Sequence, residues 1–182
     1  MVLVFANFQG RSWDVKSMHD SKNIAYTSLK LGLHMDLLYF ESPPGLQFLH
    51  SLENSVVGGE SIFLDSFMAL KILKSQFPQY YQDLSTIPIT YHYKNDGHDM
   101  MYTRPLIQKS PFISDQVFYS PPFQGYLNLS VSESFKFYTA MSQFSHILDD
   151  TKLIYQSYLK PGTCVVFANR RVLHGRQVYF FY

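Results

Sequence analysis

The chain has 182 residues, enough for one domain with a real core, and its 15 basic residues are nearly matched by 14 acidic ones. That balance excludes a surface built to hold a nucleic-acid backbone or an anionic membrane, so the expected partner is a small-molecule substrate or another protein. A single cysteine, Cys164, excludes an intrachain disulfide.

Cys164 lies in the apolar run "TCVVF", which reads as a core strand and fits a reducing compartment. The opening "MVLVFANF" lacks the basic start and sustained apolar stretch of a signal peptide, and no segment has bilayer-spanning length. The expectation is a cytoplasmic protein, with the mitochondrion as the alternative.

In chain order, short strand-like runs end in turn chemistry. "LKLGLHMDLLYF" stops at Ser42-Pro43-Pro44-Gly45, "LQFLHSL" stops at Glu53-Asn54, and Gly58-Gly59 precedes "ESIFLDSF". From Ser66 a helical pattern runs through Phe67, Leu70 and Leu73, and Pro78 opens a further turn or short helix at "QYYQDL". A longer helix begins near Ser132, with Phe137, Met141, Phe144 and Leu148 forming an apolar stripe to pack on the sheet. Strands return after it: Lys160-Pro161-Gly162 makes a turn, "TCVVFA" a buried strand, Asn169-Arg170 the next turn, and "VLHGR" the strand that follows. The whole chain, 1–182, reads as one mostly β domain. It starts inside an apolar segment and stops at "VYFFY" in mid-strand, which raises the expectation of a domain incomplete at both ends.

Aromatic residues make up 17% of the chain. They fit pleated sheet surfaces, and they also fit an aromatic-lined pocket.

His34 and Asp36 stand two residues apart in an apolar stretch. On an extended strand such residues share a face, so the imidazole and the carboxylate project together. With His174, far along the chain, they make the donor set of non-haem Fe(II) oxygenases, two imidazoles and one carboxylate, which leaves three coordination positions open. Hydrolytic zinc uses the same ligand types. The plain alternative is two core histidines and a turn aspartate. The remaining histidines keep the plain reading: His19, His92, His98 and His146 lie in polar or helical contexts, and His50 faces the sheet.

The pieces "GRSWDV", "NIAYTSLKLGLHMD", "YFESPPGLQFLH" and "GGESIFLD", together with the closing "LKPGTCVVFANRRVLHGR", resemble the gamma-butyrobetaine dioxygenase and trimethyllysine dioxygenase family, within the taurine dioxygenase-like 2-oxoglutarate oxygenases. The resemblance runs from about Gly10 to Arg176. It implies a double-stranded β-helix, or jelly roll, with two or three packing helices and its C-terminal strands missing. It also implies Fe(II) held by His34, Asp36 and His174, with 2-oxoglutarate and O₂ as co-substrates.

Within that resemblance Ser61 matches a residue that hydrogen-bonds the co-substrate. The family's arginine for the far carboxylate of 2-oxoglutarate lies beyond "GRQVYFFY", which leaves Arg176 to compensate. Trp13 and Tyr26 match positions of an aromatic cage for a trimethylammonium group, and Asn23 a substrate-facing asparagine. Gln9 and Leu37 depart from the cage pattern. The implied activity is hydroxylation of a small quaternary amine such as gamma-butyrobetaine, as in carnitine biosynthesis, in a chain that pairs as a homodimer. The alternatives are a catalytically impaired jelly-roll remnant, or the same chemistry on an unrelated small substrate.

Overall fold

Turn and cap chemistry decide where strand gives way to helix in this chain. The computed structural model describes residues 12–17, 24–95, 97–111 and 114–181. After a 3₁₀ turn at Ile24–Tyr26, the strands are β1 (Leu31–His34), β2 (Leu46–His50), β3 (Val57–Gly58) and β4 (Ser61–Asp65). Helices α1 (Ser66–Gln76) and α2 (Pro78–Thr86) follow, then β5 (Pro88–Asn95), β6 (His98–Pro105), β7 (Ile107–Gln108) and β8 (Gln116–Val117). The chain continues through α3 (Val131–Leu148), β9 (Ile154–Ser157), β10 (Cys164–Ala168), β11 (Val172–Arg176) and β12 (Tyr179–Phe180).

Each helix start has a local cause. The Asp65 carboxylate caps α1 by accepting from the Phe67 N–H at 3.0 Å. Pro78 sits in the first turn of α2, where its missing N–H costs nothing. Ser130 and Glu133 form a reciprocal capping box at the head of α3, the Glu133 carboxylate accepting from the Ser130 N–H at 2.9 Å. The helices pack on one another and bury Leu70 and Leu73, Tyr81 and Leu84, and Phe137, Phe144 and Leu148 in the main core. Met141, at the edge of the α3 stripe, packs against that core from a half-buried position. Among the described residues no helix is long and apolar enough to cross a membrane.

The strands form one four-stranded antiparallel sheet in the order β1-β11-β4-β9, and the two-stranded pairs β2–β10, β3–β12, β5–β6 and β7–β8. The chain is thus mostly β with three helices, as expected, but among the described residues the strands do not close into a barrel.

Two local expectations need correction. The strand of "LKLGLHMDLLYF" ends at His34, and residues 36–39 form a turn in which Leu37 takes the left-handed conformation, φ 58°. "TCVVFA" is a strand but not a buried one: Val166 and, across the ladder, Leu46 and Phe48 are about half exposed, and Cys164 is exposed too. An apolar run marks a strand without saying whether another layer covers it. Strands β5 and β6 pair over their full length, and Gly97, with φ 78°, lies between them. Asp-Gly at positions 96 and 97 is the sequence signal for such a hairpin.

Part of the aromatic excess builds the core, while Tyr126, Phe135 and Phe180, among others, stay exposed. Tyr91, Phe118, Phe137 and Phe144 are almost fully buried, and Tyr39 packs on Phe40, Tyr93 and Phe123. Phe144→Ala should therefore cost about 3 to 5 kcal/mol in urea unfolding, from lost burial and the cavity left behind. Phe135→Ala, on the exposed side of the same helix, should stay within about 0.5 kcal/mol.

Candidate metal centre

The site is assembled by the pairing of β1 with β11. His34 lies directly opposite His174, while Leu31 lies opposite Arg176, so β1 carries an extra residue between the two points of register. This bulge turns the end of β1 and presses the Leu31 and Gly32 carbonyls onto Gly175, where a Cβ would meet them at 2.5 and 2.9 Å. Only glycine fits between the distal histidine and Arg176. The same bulge orients the first histidine: Nδ1 of His34 hydrogen-bonds the Gly32 carbonyl at 2.9 Å, which assigns the ring N–H to that side and leaves Nε2 facing the site.

Asp36 leaves the strand but still reaches its partners, because the chain stays extended through Met35, whose N–H donates to the Tyr119 carbonyl at 2.8 Å. Its carboxylate oxygens lie 3.4 Å from His34 Nε2 and 3.7 Å from His174 Nε2. The imidazole rings stand 4.3 Å apart, and one donor atom from each of His34, Asp36 and His174 falls within 4.8 Å of the others. The three sequence-predicted residues are thus brought together, and both histidines are buried.

The electrostatics are those of a cluster that wants a cation. Burial alone would push His34 down, but its hydrogen bond to Asp36 and the carboxylate's charge turn the shift upward. Burial would likewise push Asp36 up, yet the His34 hydrogen bond and the histidine charges hold it down to about 2. His174 is pushed down to about 4, by burial first and by the charge of His34 second. One carboxylate and two imidazoles, one of them kept neutral, suit a divalent metal that takes the place of the His34 proton.

Sequence reasoning missed the groups that hold Asp36. Asn169, almost fully buried, accepts from the Asp36 N–H at 3.2 Å and donates to the Asp36 and Pro44 carbonyls, both at 3.1 Å. This clamp fixes the turn in which Leu37 adopts its strained φ, a conformation costing about 1 to 3 kcal/mol. Gln47 on β2 donates Nε2 to Asp36 Oδ2 at 2.6 Å. Phe167 packs on the His174 ring at 5.0 Å and on Phe63 at 5.4 Å. In the sequence Asn169 stands out as a turn residue and as part of the closing Asn-x-Arg pattern of the resemblance, but a contact to Asp36 across most of the chain leaves no local signal.

The other predicted residues are placed as follows. Ser61 is buried and directly opposite Arg176 in the β4–β11 ladder. Arg176 donates its terminal nitrogens to the Ala25, Thr27 and Leu29 carbonyls, packs over Tyr179, and keeps Nε buried without a partner. It thereby anchors the segment that carries Tyr26, which is half-buried. Trp13 is 38% exposed. Among the described residues no hydrogen bond or ring contact joins Trp13 or Tyr26 to His34, Asp36 or His174, and Asn23 lies outside the described residues. Arg170 donates to the Pro43 carbonyl and Ser42, and Arg171 forks onto Asp65.

Residues 5–180 match the taurine catabolism dioxygenase TauD, TfdA family, and the chain belongs to that family. It is 46% identical over 173 residues to "Dioxygenase str8" of Strobilurus tenacellus, covering 94% of this chain and 40% of the relative. It is 33% identical over 181 residues to gamma-butyrobetaine dioxygenase of Pseudomonas sp. strain AK-1, covering 96% of this chain and 45% of that protein. The chain spans less than half the length of these curated relatives. Among solved structures it is similar to a putative alpha-ketoglutarate-dependent taurine dioxygenase from Burkholderia xenovorans, with TM-score 0.64 and 18% identity over 80% of this chain and 50% of the other.

Removing the Asn169 clamp should loosen the site by taking the partner from the Asp36 N–H and from the Asp36 and Pro44 carbonyls, and by leaving a void where the buried amide sat. Asn169→Ala is expected to cost the metal-free chain about 2 to 4 kcal/mol in urea unfolding.

Proposed function

We propose that the chain forms the metal-bearing part of an Fe(II)- and 2-oxoglutarate-dependent dioxygenase, with His34, Asp36 and His174 as the iron ligands. The observation that carries this reading is the convergence of two buried imidazoles and one carboxylate within 4.8 Å, in a chain of the TauD/TfdA family. When bound, Fe(II) with 2-oxoglutarate supplies O₂-dependent hydroxylation of a C–H bond, the keto acid leaving as succinate and CO₂.

The chain's own residues supply geometry and dryness. The Gly32 carbonyl holds His34 so that Nε2 faces the metal, and Asn169 and Gln47 hold Asp36. Phe63 and Phe167 keep water from the His174 side. We assign Ser61 and Arg176 to the co-substrate. They face each other across the ladder two residues from His174 and its partner Phe63, on the same sheet face, and the unpartnered Nε of Arg176 is a donor left for a carboxylate.

The substrate is a small molecule. A quaternary amine such as gamma-butyrobetaine is one reading, with Trp13, Asn23 and Tyr26 contributing to its recognition; a trimethylammonium group cannot accept or donate hydrogen bonds and is held by aromatic faces. The higher identity to "Dioxygenase str8" than to gamma-butyrobetaine dioxygenase favours a second reading, the same chemistry on another small substrate.

Anaerobic titration of the Fe(II)-loaded chain with 2-oxoglutarate should give a weak, saturable visible charge-transfer band, and His174→Ala should abolish it. Iron binding without any such band in the unaltered chain would refute co-substrate binding. Succinate release, compared between gamma-butyrobetaine and unrelated small molecules, separates the two substrate readings.

A further inference from the structure

Strand β2 carries its polarity the wrong way round. Leu46, Phe48 and His50 are exposed, while the alternate positions, Gln47 and Leu49, are half-buried. An antiparallel strand with one covered face normally places apolar residues inward, so an amide on the inner face calls for a partner. Gln47 has one: its Nε2 donates to Asp36 Oδ2 at 2.6 Å. Its register partner on β10 is Phe167, whose ring packs on His174. The other end of the amide, Oε1, is buried and has no hydrogen-bond partner.

We infer that Gln47 is a positioning residue of the metal centre, pinning Oδ2 of Asp36 so that Oδ1, the oxygen beside His34 Nε2, is the single carboxylate oxygen offered to the metal. This rests on the metal-centre reading above and adds to it the denticity of the carboxylate. The two oxygens are already inequivalent: Oδ1 lies 3.4 Å from His34 Nε2, and Oδ2 carries the Gln47 bond and lies 3.7 Å from His174 Nε2. A carboxylate held through one oxygen occupies one coordination position, whereas a free one can swing to chelate and take two. Pinning therefore keeps a position open for co-substrate. The unpartnered Oε1 is the complementary half of the arrangement, an acceptor for a water or a bound group that carries a proton.

Cobalt(II) tests this without turnover, because its visible spectrum reports coordination number. The unaltered 182-residue chain should bind Co(II) with a saturable visible band that His174→Ala removes. Gln47→Leu, close in volume, should bind Co(II) about 10- to 100-fold more weakly, with a shifted band, while the urea midpoint of the metal-free variant stays near that of the unaltered chain. An unchanged dissociation constant and spectrum in Gln47→Leu would overturn the inference while leaving the metal centre standing. Should that variant fail to fold, Gln47→Met is read by the same two criteria. Absence of Co(II) binding in the unaltered chain would sink the metal-centre reading, and this inference with it.

Discussion

The pairing of β1 with β11 is the constraint on which the rest depends, because it sets residues from distant parts of the chain opposite each other at one bulge. A slip of one residue in that register would send His174 to the other face of the sheet, and Arg176 with it. Gly175 guards against the slip from one side, since any side chain there would strike the carbonyls of Leu31 and Gly32. The order β1-β11-β4 then sets β4 against the other side of β11, so Phe63 and Ser61 come to lie beside His174 and Arg176. The geometry of the two histidines and the ladder register are one property of this sheet.

A second layer of control acts on Asp36, which leaves the strand and cannot be held by the ladder. Its backbone is clamped by Asn169 and its carboxylate is bonded by Gln47. Arg104 reinforces the turn from below: buried between the rings of Tyr102 and Phe118, it donates to the Phe40 and Glu41 carbonyls. The turn can therefore carry a left-handed leucine, because contacts from β2, β6 and the β10–β11 connection over-determine it.

What could be read from the sequence was what is local or ordered along the chain. The prolines and the apolar stripe of α3 act over a few residues, and they mark where the helices lie. His34, Asp36 and His174 are recognisable as a group because two imidazoles and one carboxylate form a metal donor set, and the fold brings them within 4.8 Å of one another. The long-range supports are not. Asn169 and Gln47 meet Asp36 only after folding, and neither has a local pattern that says so. Burial was misjudged at β10 for a related reason: "TCVVFA" has strand composition, but which face is covered depends on what packs there, and its outward face lies open beside Leu46 and Phe48.

That open face and the metal centre lie on the two sides of one thin element. The inward side of the β2–β10 pair presents Gln47 and Phe167 to the ligands, while its outward side presents Phe48 and Val166. A two-stranded ribbon is among the more deformable pieces of a fold, and here it carries the hydrogen bond that orders the carboxylate. Order at Asp36 Oδ2 is therefore coupled to how firmly this ribbon is held. Whatever stiffens its apolar outward face stiffens the Gln47 bond as well, without touching His34, Asp36 or His174, because the amide moves only as far as β2 does.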